Sequence, residues 1–123
     1  MLIVDDEPAI GNFLRIKLRL SGYDVLTTTS GAEAIELVRT QQPDVVLCDV
    51  LLPDVTGMDV IDKVRTFSRV PIIVFTGHPD IAEFASKLGA NDYIAKPFYP
   101  DLLLDKIKSV LITSQTAKGT NEG

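Results

Sequence analysis

Short apolar runs alternate with longer stretches whose apolar residues recur every three or four positions, and the alternation repeats five times along the chain. The short runs read as strands, and the 3.6-residue spacing reads as helices that each bury one stripe. Strands are expected over residues 2–5, 23–28, 44–48, 70–75 and 92–95. Pro8 sits where a first helical turn tolerates a missing N–H, and Ile10, Phe13, Leu14 and Leu18 form an apolar stripe that ends at Gly22. Ser30-Gly31-Ala32-Glu33 has the form of a capping box opening a second helix, with Ala34, Ile35 and Val38 on one side and Pro43 as its stop. A third helix begins near Thr56-Gly57 and carries Val60, Ile61, Val64 and Phe67. Pro79 opens a fourth that runs through Leu88 and closes at Gly89. Pro100 opens the last, with Leu103, Ile107, Val110 and Leu111 facing inward. Residues 113–123 are polar and without periodicity, so they are expected to be a disordered tail or linker remnant after a folded domain of residues 1–112.

Strands alternating with helices predict an α/β domain with a parallel sheet. Runs one, three and four are almost wholly apolar, as expected for strands covered on both faces, whereas runs two and five mix polar with apolar residues and look like edges. Placing those two outside gives the strand order 2-1-3-4-5. This is the flavodoxin-like (βα)5 three-layer sandwich, whose ligand site lies beyond the carboxyl ends of strands one and three.

Composition narrows the function. A length of 123 residues fits one domain, and 46% hydrophobic with 24% charged residues is ordinary for a globular chain. No apolar run approaches the roughly 20 residues that cross a bilayer. The opening Met1-Leu2-Ile3-Val4-Asp5-Asp6 is too short and acidic for a signal peptide, so the expected location is cytoplasmic, without a membrane partner. The abrupt start, with Met1 directly on the first strand, fits a domain excised from a larger protein. Cys48 is the single cysteine, which excludes an internal disulfide. A net charge of -5 argues against direct nucleic-acid binding, because phosphate contacts need clustered Lys and Arg.

Polar residues end four of the five apolar runs: Asp5 and Asp6 the first, Asp49 the third, Thr76 the fourth and Lys96 the fifth. In a parallel sheet they emerge at one edge. Three carboxylates together need a counter-charge, since two at ~4 Å repel by about 4 kcal/mol at an effective dielectric near 20. A hard divalent cation with oxygen ligands supplies it, and Mg2+ fits best. Asp49, on the central strand, is the nucleophile candidate for a phosphoryl group, with Lys96 and Thr76 placed to bind phosphoryl oxygens. Taken singly, each residue has an ordinary reading: Asp5 and Asp6 as helix caps, Asp49 as a turn residue, Lys96 as a solvated loop lysine. Their joint placement is what points to chemistry.

These segments resemble a known family. Leu2-Ile3-Val4-Asp5-Asp6-Glu7-Pro8, Cys48-Asp49 followed by Pro53 and Gly57, Val74-Phe75-Thr76-Gly77, and Asp92-Tyr93-Ile94-Ala95-Lys96-Pro97-Phe98 look like the successive signatures of the response-regulator receiver domain of two-component signalling, in order over residues 1–112. The resemblance implies phosphotransfer from a sensor histidine kinase to Asp49. It also implies Mg2+ held by Asp5, Asp6, Asp49 and the main-chain carbonyl of Leu51, with Lys96 on the phosphoryl group. Thr76 and Tyr93 would be a coupled switch pair, and the Lys96-Pro97 bond would be cis. Such a protein catalyses only its own phosphorylation and dephosphorylation and turns over no other substrate. Phosphorylation would change the face made by the fourth helix, fifth strand and fifth helix, where a downstream protein, an output domain or a second copy would bind. Asp54 and Thr56 stand where the family often has Gly and Asp. Thr56 can still cap the third helix, and Asp54 adds a carboxylate within reach of the site. Leu51 and His78 occupy positions that vary in the family and influence the lifetime of the phosphoryl group.

Competing readings differ in what they need. A receiver that binds partners constitutively and is never phosphorylated would not need the full set of Asp5, Asp6, Asp49, Thr76 and Lys96. A haloacid-dehalogenase-type phosphatase wants a second Asp two residues after the nucleophile, where Leu51 stands. A flavodoxin wants a Ser/Thr/Gly-rich phosphate loop after the first strand, where this chain has acids. His78 reads as a loop residue and Cys48 as an inert core thiol. Phe98 and Tyr99 read equally as hinge packing or as partner surface.

Overall fold

The computed structural model describes residues 1–77, 79–96 and 99–122, leaving aside the side chains of residues 79, 82 and 114–122. His78, Pro97, Phe98 and the geometry of the Lys96–Pro97 bond therefore lie outside the described residues. Strands β1 (Leu2–Val4), β2 (Leu26–Thr28), β3 (Val46–Asp49), β4 (Ile72–Thr76) and β5 (Asp92–Ala95) alternate with helices α1 (Pro8–Leu20), α2 (Gly31–Gln41), α3 (Gly57–Val64), α4 (Pro79–Leu88) and α5 (Pro100–Glu122). The strands form one parallel sheet in the order β2-β1-β3-β4-β5. The expected fold and edge strands are those observed. Because successive side chains point to opposite faces, β1 sends Leu2 and Val4 to a core shared with Ala34, Val60, Ile61 and Ala85, while Ile3 joins Leu14, Leu18, Leu103 and Ile107 on the other face. Helices α2, α3 and α4 thus cover one side and α1 and α5 the other.

Local differences from the sequence reading have physical causes. β2 begins at Leu26, paired with Leu2 of β1; before that pair the contact narrows to the Met1 amine, which donates to the Asp24 carbonyl at 3.0 Å, and no ladder forms over residues 23–25. Phe13 is not on the core stripe: the inward positions of α1 are Gly11, Leu14 and Leu18, and Phe13 is exposed. α3 ends at Val64, so Phe67 falls outside it, stacked 4.7 Å beneath the Arg39 guanidinium. Ser30 accepts a hydrogen bond from Glu33 N–H, but its own N–H goes to Thr28 Oγ1, so only half of the expected capping box exists. The complete box is at α3, between Thr56 and Asp59. α5 continues to Glu122, over residues that the sequence reads as a polar tail or linker remnant. With no proline after Pro100, the backbone N–H groups of those residues are free to extend the helix that packing of Leu103 and Ile107 has already nucleated. Among the described residues, no helix is long and apolar enough to cross a membrane.

Candidate functional site

The carboxyl edge of the sheet collects the polar residues because β1, β3, β4 and β5 run in one direction and in close register. Val4 lies opposite Cys48, Asp49 opposite Phe75 and Thr76 opposite Ala95. Asp5 and Asp6 follow β1, Asp49 ends β3, Thr76 ends β4 and Lys96 follows β5. Each of Asp5, Asp6 and Asp49 has a carboxylate oxygen within 4.8 Å of the others. Asp5 and Asp49 are buried and Asp6 is exposed, so the group has a dry floor and one side open to solvent.

Lys96 Nζ bridges the two buried acids, donating to Asp49 Oδ2 at 2.9 Å and Asp5 Oδ2 at 3.3 Å. Its position is fixed from two directions. Its N–H donates to the Thr76 carbonyl at 2.9 Å, and its ammonium lies 4.7 Å over the Phe75 ring. Sequence reasoning missed Phe75, whose place in an apolar strand marks it only as core. Burial lowers the Lys96 pKa, but the hydrogen bonds and charges of Asp49 and Asp5 outweigh it and leave the pKa raised. Burial likewise raises the Asp5 pKa, with the nearby Asp49 charge adding to it, despite the Glu7 N–H at 2.8 Å and the Lys96 ammonium, which lower it. Both partners of this pair are raised, and the directions are compatible: the ammonium gains two anions, while Asp5 gains one cation at the cost of water and beside another anion.

One ammonium against three carboxylates leaves a net charge of two negative units, which is what a divalent cation would balance. Mg2+ takes oxygen ligands at ~2.0–2.1 Å and keeps several waters, so it needs only one or two of these carboxylates. The donor set fits it. Leu51 N–H donates to Asp49 Oδ1 at 3.3 Å, which places the start of the β3–α3 loop against the carboxylate. That loop is held close by Gly57, whose N–H donates to the Val50 carbonyl at 2.7 Å and whose Cβ, were there one, would meet the Asp49 carbonyl and come within 2.8 Å of Val50 Cα.

Thr76 is buried at the end of β4. Tyr93 lies on β5 opposite Val74, on the sheet face that Thr76 shares, and is 46% exposed with Lys106 Nζ 5.8 Å from its ring centroid. Tyr99 is 83% exposed, on the surface rather than in hinge packing. Cys48 is fully buried, and burial beside Asp49 and Asp5 pushes its thiol up to about 12, an unreactive state.

Asp54 departs from expectation. Its carboxylate does not join the acidic cluster; it accepts from Ser30 Oγ at 2.9 Å, Gly31 N–H at 2.9 Å and Ala32 N–H at 3.0 Å at the start of α2. The Ala32 and Gly31 amides hold it well below the usual carboxylate range. The first N–H groups of a helix have no partner within it, and Asp54 is the anion that reaches them. The sequence signal was available, an acid in a loop beside a Ser-Gly-Ala helix start, but spacing gave no reason to join the two segments.

Residues 1–108 match the family described as the response regulator receiver domain. Among curated relatives, the ycf27 protein of Guillardia theta is 42% identical over 113 residues, covering 90% of this chain and 44% of that protein. The transcriptional regulatory protein KdpE of Mycobacterium tuberculosis is 38% identical over 113 residues, covering 90% of this chain and 50% of its own length. The chain thus spans about half the length of the curated relatives it matches. A receiver domain protein (CheY-like) from Methanospirillum hungatei has a TM-score of 0.89 at 30% identity, covering 94% of this chain and 95% of that one. The BeF3-activated receiver domain of Klebsiella pneumoniae RstA has a TM-score of 0.85 at 29% identity, covering 89% of this chain and 96% of that one. Fold, site and relatives agree, and the chain belongs to the response-regulator receiver family of two-component signalling.

Proposed function

We propose that the chain is a cytoplasmic, phosphorylation-dependent switch in which Asp49 accepts a phosphoryl group from a partner histidine kinase. The observation that carries this reading is the convergence of Asp5, Asp6, Asp49 and Lys96 at one sheet edge. Mg2+ held by Asp5, Asp6, Asp49 and the Leu51 carbonyl would neutralise charge on the phosphoryl oxygens as they approach the carboxylates. An Asp49 carboxylate oxygen attacks phosphorus, and the bond from phosphorus to the donor's imidazole nitrogen breaks. Lys96, now 2.9 Å from Asp49, moves its hydrogen bond to a phosphoryl oxygen. The Thr76 hydroxyl binds another, which is worth about 1.5–3 kcal/mol and enough to bias a loop between two positions. Tyr93 then turns inward from its half-exposed position. The face of α4, β5 and α5 is altered for a downstream protein, an output domain or a second copy. No substrate other than this phosphoryl group is turned over.

Incubation with acetyl phosphate and Mg2+, followed by intact-mass measurement, tests the chemistry. Wild type is expected to gain one phosphoryl group and Asp49→Ala none. Absence of any gain on wild type would favour a constitutive interaction module instead. Beryllofluoride with Mg2+ tests the switch, since unchanged Tyr93 ring resonances and backbone shifts around β5 would remove it.

A further inference from the structure

The loop between β3 and α3, residues 50–56, has no secondary structure of its own, yet it carries Leu51 against the phosphoacceptor carboxylate. Its base is closed by the Gly57 N–H on the Val50 carbonyl. Its far side rests on the first residue of α2: a Cβ on Gly31 would collide with Val55 Cγ2 and come within 3.0 Å of Val60 Cγ2 and 3.2 Å of Leu52 Cδ1. Asp54, the only charged residue in the loop, completes the attachment through its three hydrogen bonds to Ser30, Gly31 and Ala32.

We propose that Asp54 is a positioning residue that anchors the β3–α3 loop to the start of α2 and so presets Leu51 and the Asp49 carboxylate for the cation. The proposal rests on the magnesium-dependent reading above. Two covalently adjacent constraints make the coupling short: Leu51 N–H already bonds the Asp49 carboxylate, and Asp54 lies three residues further along. A loop released at Asp54 would have to be ordered again each time the cation binds, and that ordering cost appears as lost affinity. Residues that orient metal ligands from behind typically cost 10–100-fold in affinity when removed.

The test is Mg2+ titration of the full chain, followed by backbone amide NMR, for wild type, Asp54→Ala, Asp54→Asn and Ser30→Ala. Asp54→Ala is expected to weaken Mg2+ binding roughly tenfold and to remove the exchange protection of the Gly31 and Ala32 amides. Asn keeps an acceptor oxygen without the charge, so Asp54→Asn is expected to restore most of the affinity and the protection. Equal weakening in the Ala and Asn variants would assign the effect to charge alone, and unchanged affinity in Asp54→Ala would reduce Asp54 to a helix cap; either result overturns the proposal. Should Asp54→Ala fail to fold, Asp54→Asn and Ser30→Ala decide it, the first expected near wild type and the second weakened about threefold, as it loses one of the three Asp54 bonds together with the cap on Glu33 N–H. Failure of wild type to bind Mg2+ would instead strike the underlying functional reading, whatever the variants do.

Discussion

Asp5 and Asp54 are the same residue type, yet their surroundings move their pKa values in opposite directions. Asp5 is buried among other acids and its pKa lies above the ordinary 3.8, while Asp54 is exposed but bonded by helix amides and lies below it. The consequences for stability have opposite signs. The depressed Asp54 contributes stability that is complete above 3.8 and lost as pH falls through its folded pKa. The raised Asp5 favours the folded state below 3.8, and that advantage is lost as pH rises through its folded value. Carboxyl 13C shifts of the metal-free protein, followed from pH 7 downward, are expected to show Asp5 protonating before Asp54; the reverse order would contradict the placement of both side chains. The Asp5 position was legible in the sequence because an acid directly after a fully apolar strand has one place to go. Asp54 was not, because which anion meets a helix start is decided by how two loops pack, and a list of residues does not contain that.

The elements themselves were legible wherever a local signal coincided with burial: Pro8, Pro79 and Pro100 each open a helix, and β5 spans the residues its composition indicated. Ends set by a partner were not, as at β2, where the length of β1 decides, and at the close of α3. Two helix ends carry testable consequences. Gly57 opens α3 against the backbone of the residue that should take the phosphoryl group, so Gly57→Ala forces Asp49 and Val50 to move. It is expected to cost about 1–3 kcal/mol in urea unfolding and to shift the Asp49 amide resonance; a neutral result would mean that α3 can slide away freely. Arg65, at the other end of α3, donates to the Gly89 carbonyl from Nε at 3.1 Å and from an Nη at 2.9 Å, to Ser68 O at 3.1 Å and to Asn91 Oδ1 at 3.0 Å. Asn91 Oδ1 also receives the Ile72 N–H, so one guanidinium ties the end of α4 to the entry of β4. Arg65→Ala is expected to lose roughly 2 kcal/mol, with faster amide exchange at Ile72, and to leave Mg2+ binding at the opposite edge of the sheet unchanged.

A domain that gathers three acids around one lysine is less stable without a cation than it could be. The raised Asp5 pKa gives the sign: at neutral pH its charged form is disfavoured in the fold, so its carboxylate works against folding even with Lys96 at 3.3 Å. Asn in its place keeps an oxygen to accept the Glu7 N–H and avoids burying a charge, the largest cause of the raised pKa, while giving up the attraction to Lys96. Charge relief of this kind typically adds about 0.5–2 kcal/mol, so metal-free Asp5→Asn is expected to melt a few degrees above wild type. Mg2+ reverses the order. A ligand that binds only the folded state stabilises by RT ln(1 + [L]/Kd), about 2.7 kcal/mol at a hundredfold excess over Kd, and wild type should gain this while the variant, short of a buried carboxylate, gains little. Melting curves of both proteins with and without Mg2+ are therefore expected to cross, the variant ahead in EDTA and wild type ahead in excess Mg2+. Parallel curves, or a variant that is weaker in EDTA, would mean that the acids are held together by something other than the need for a cation.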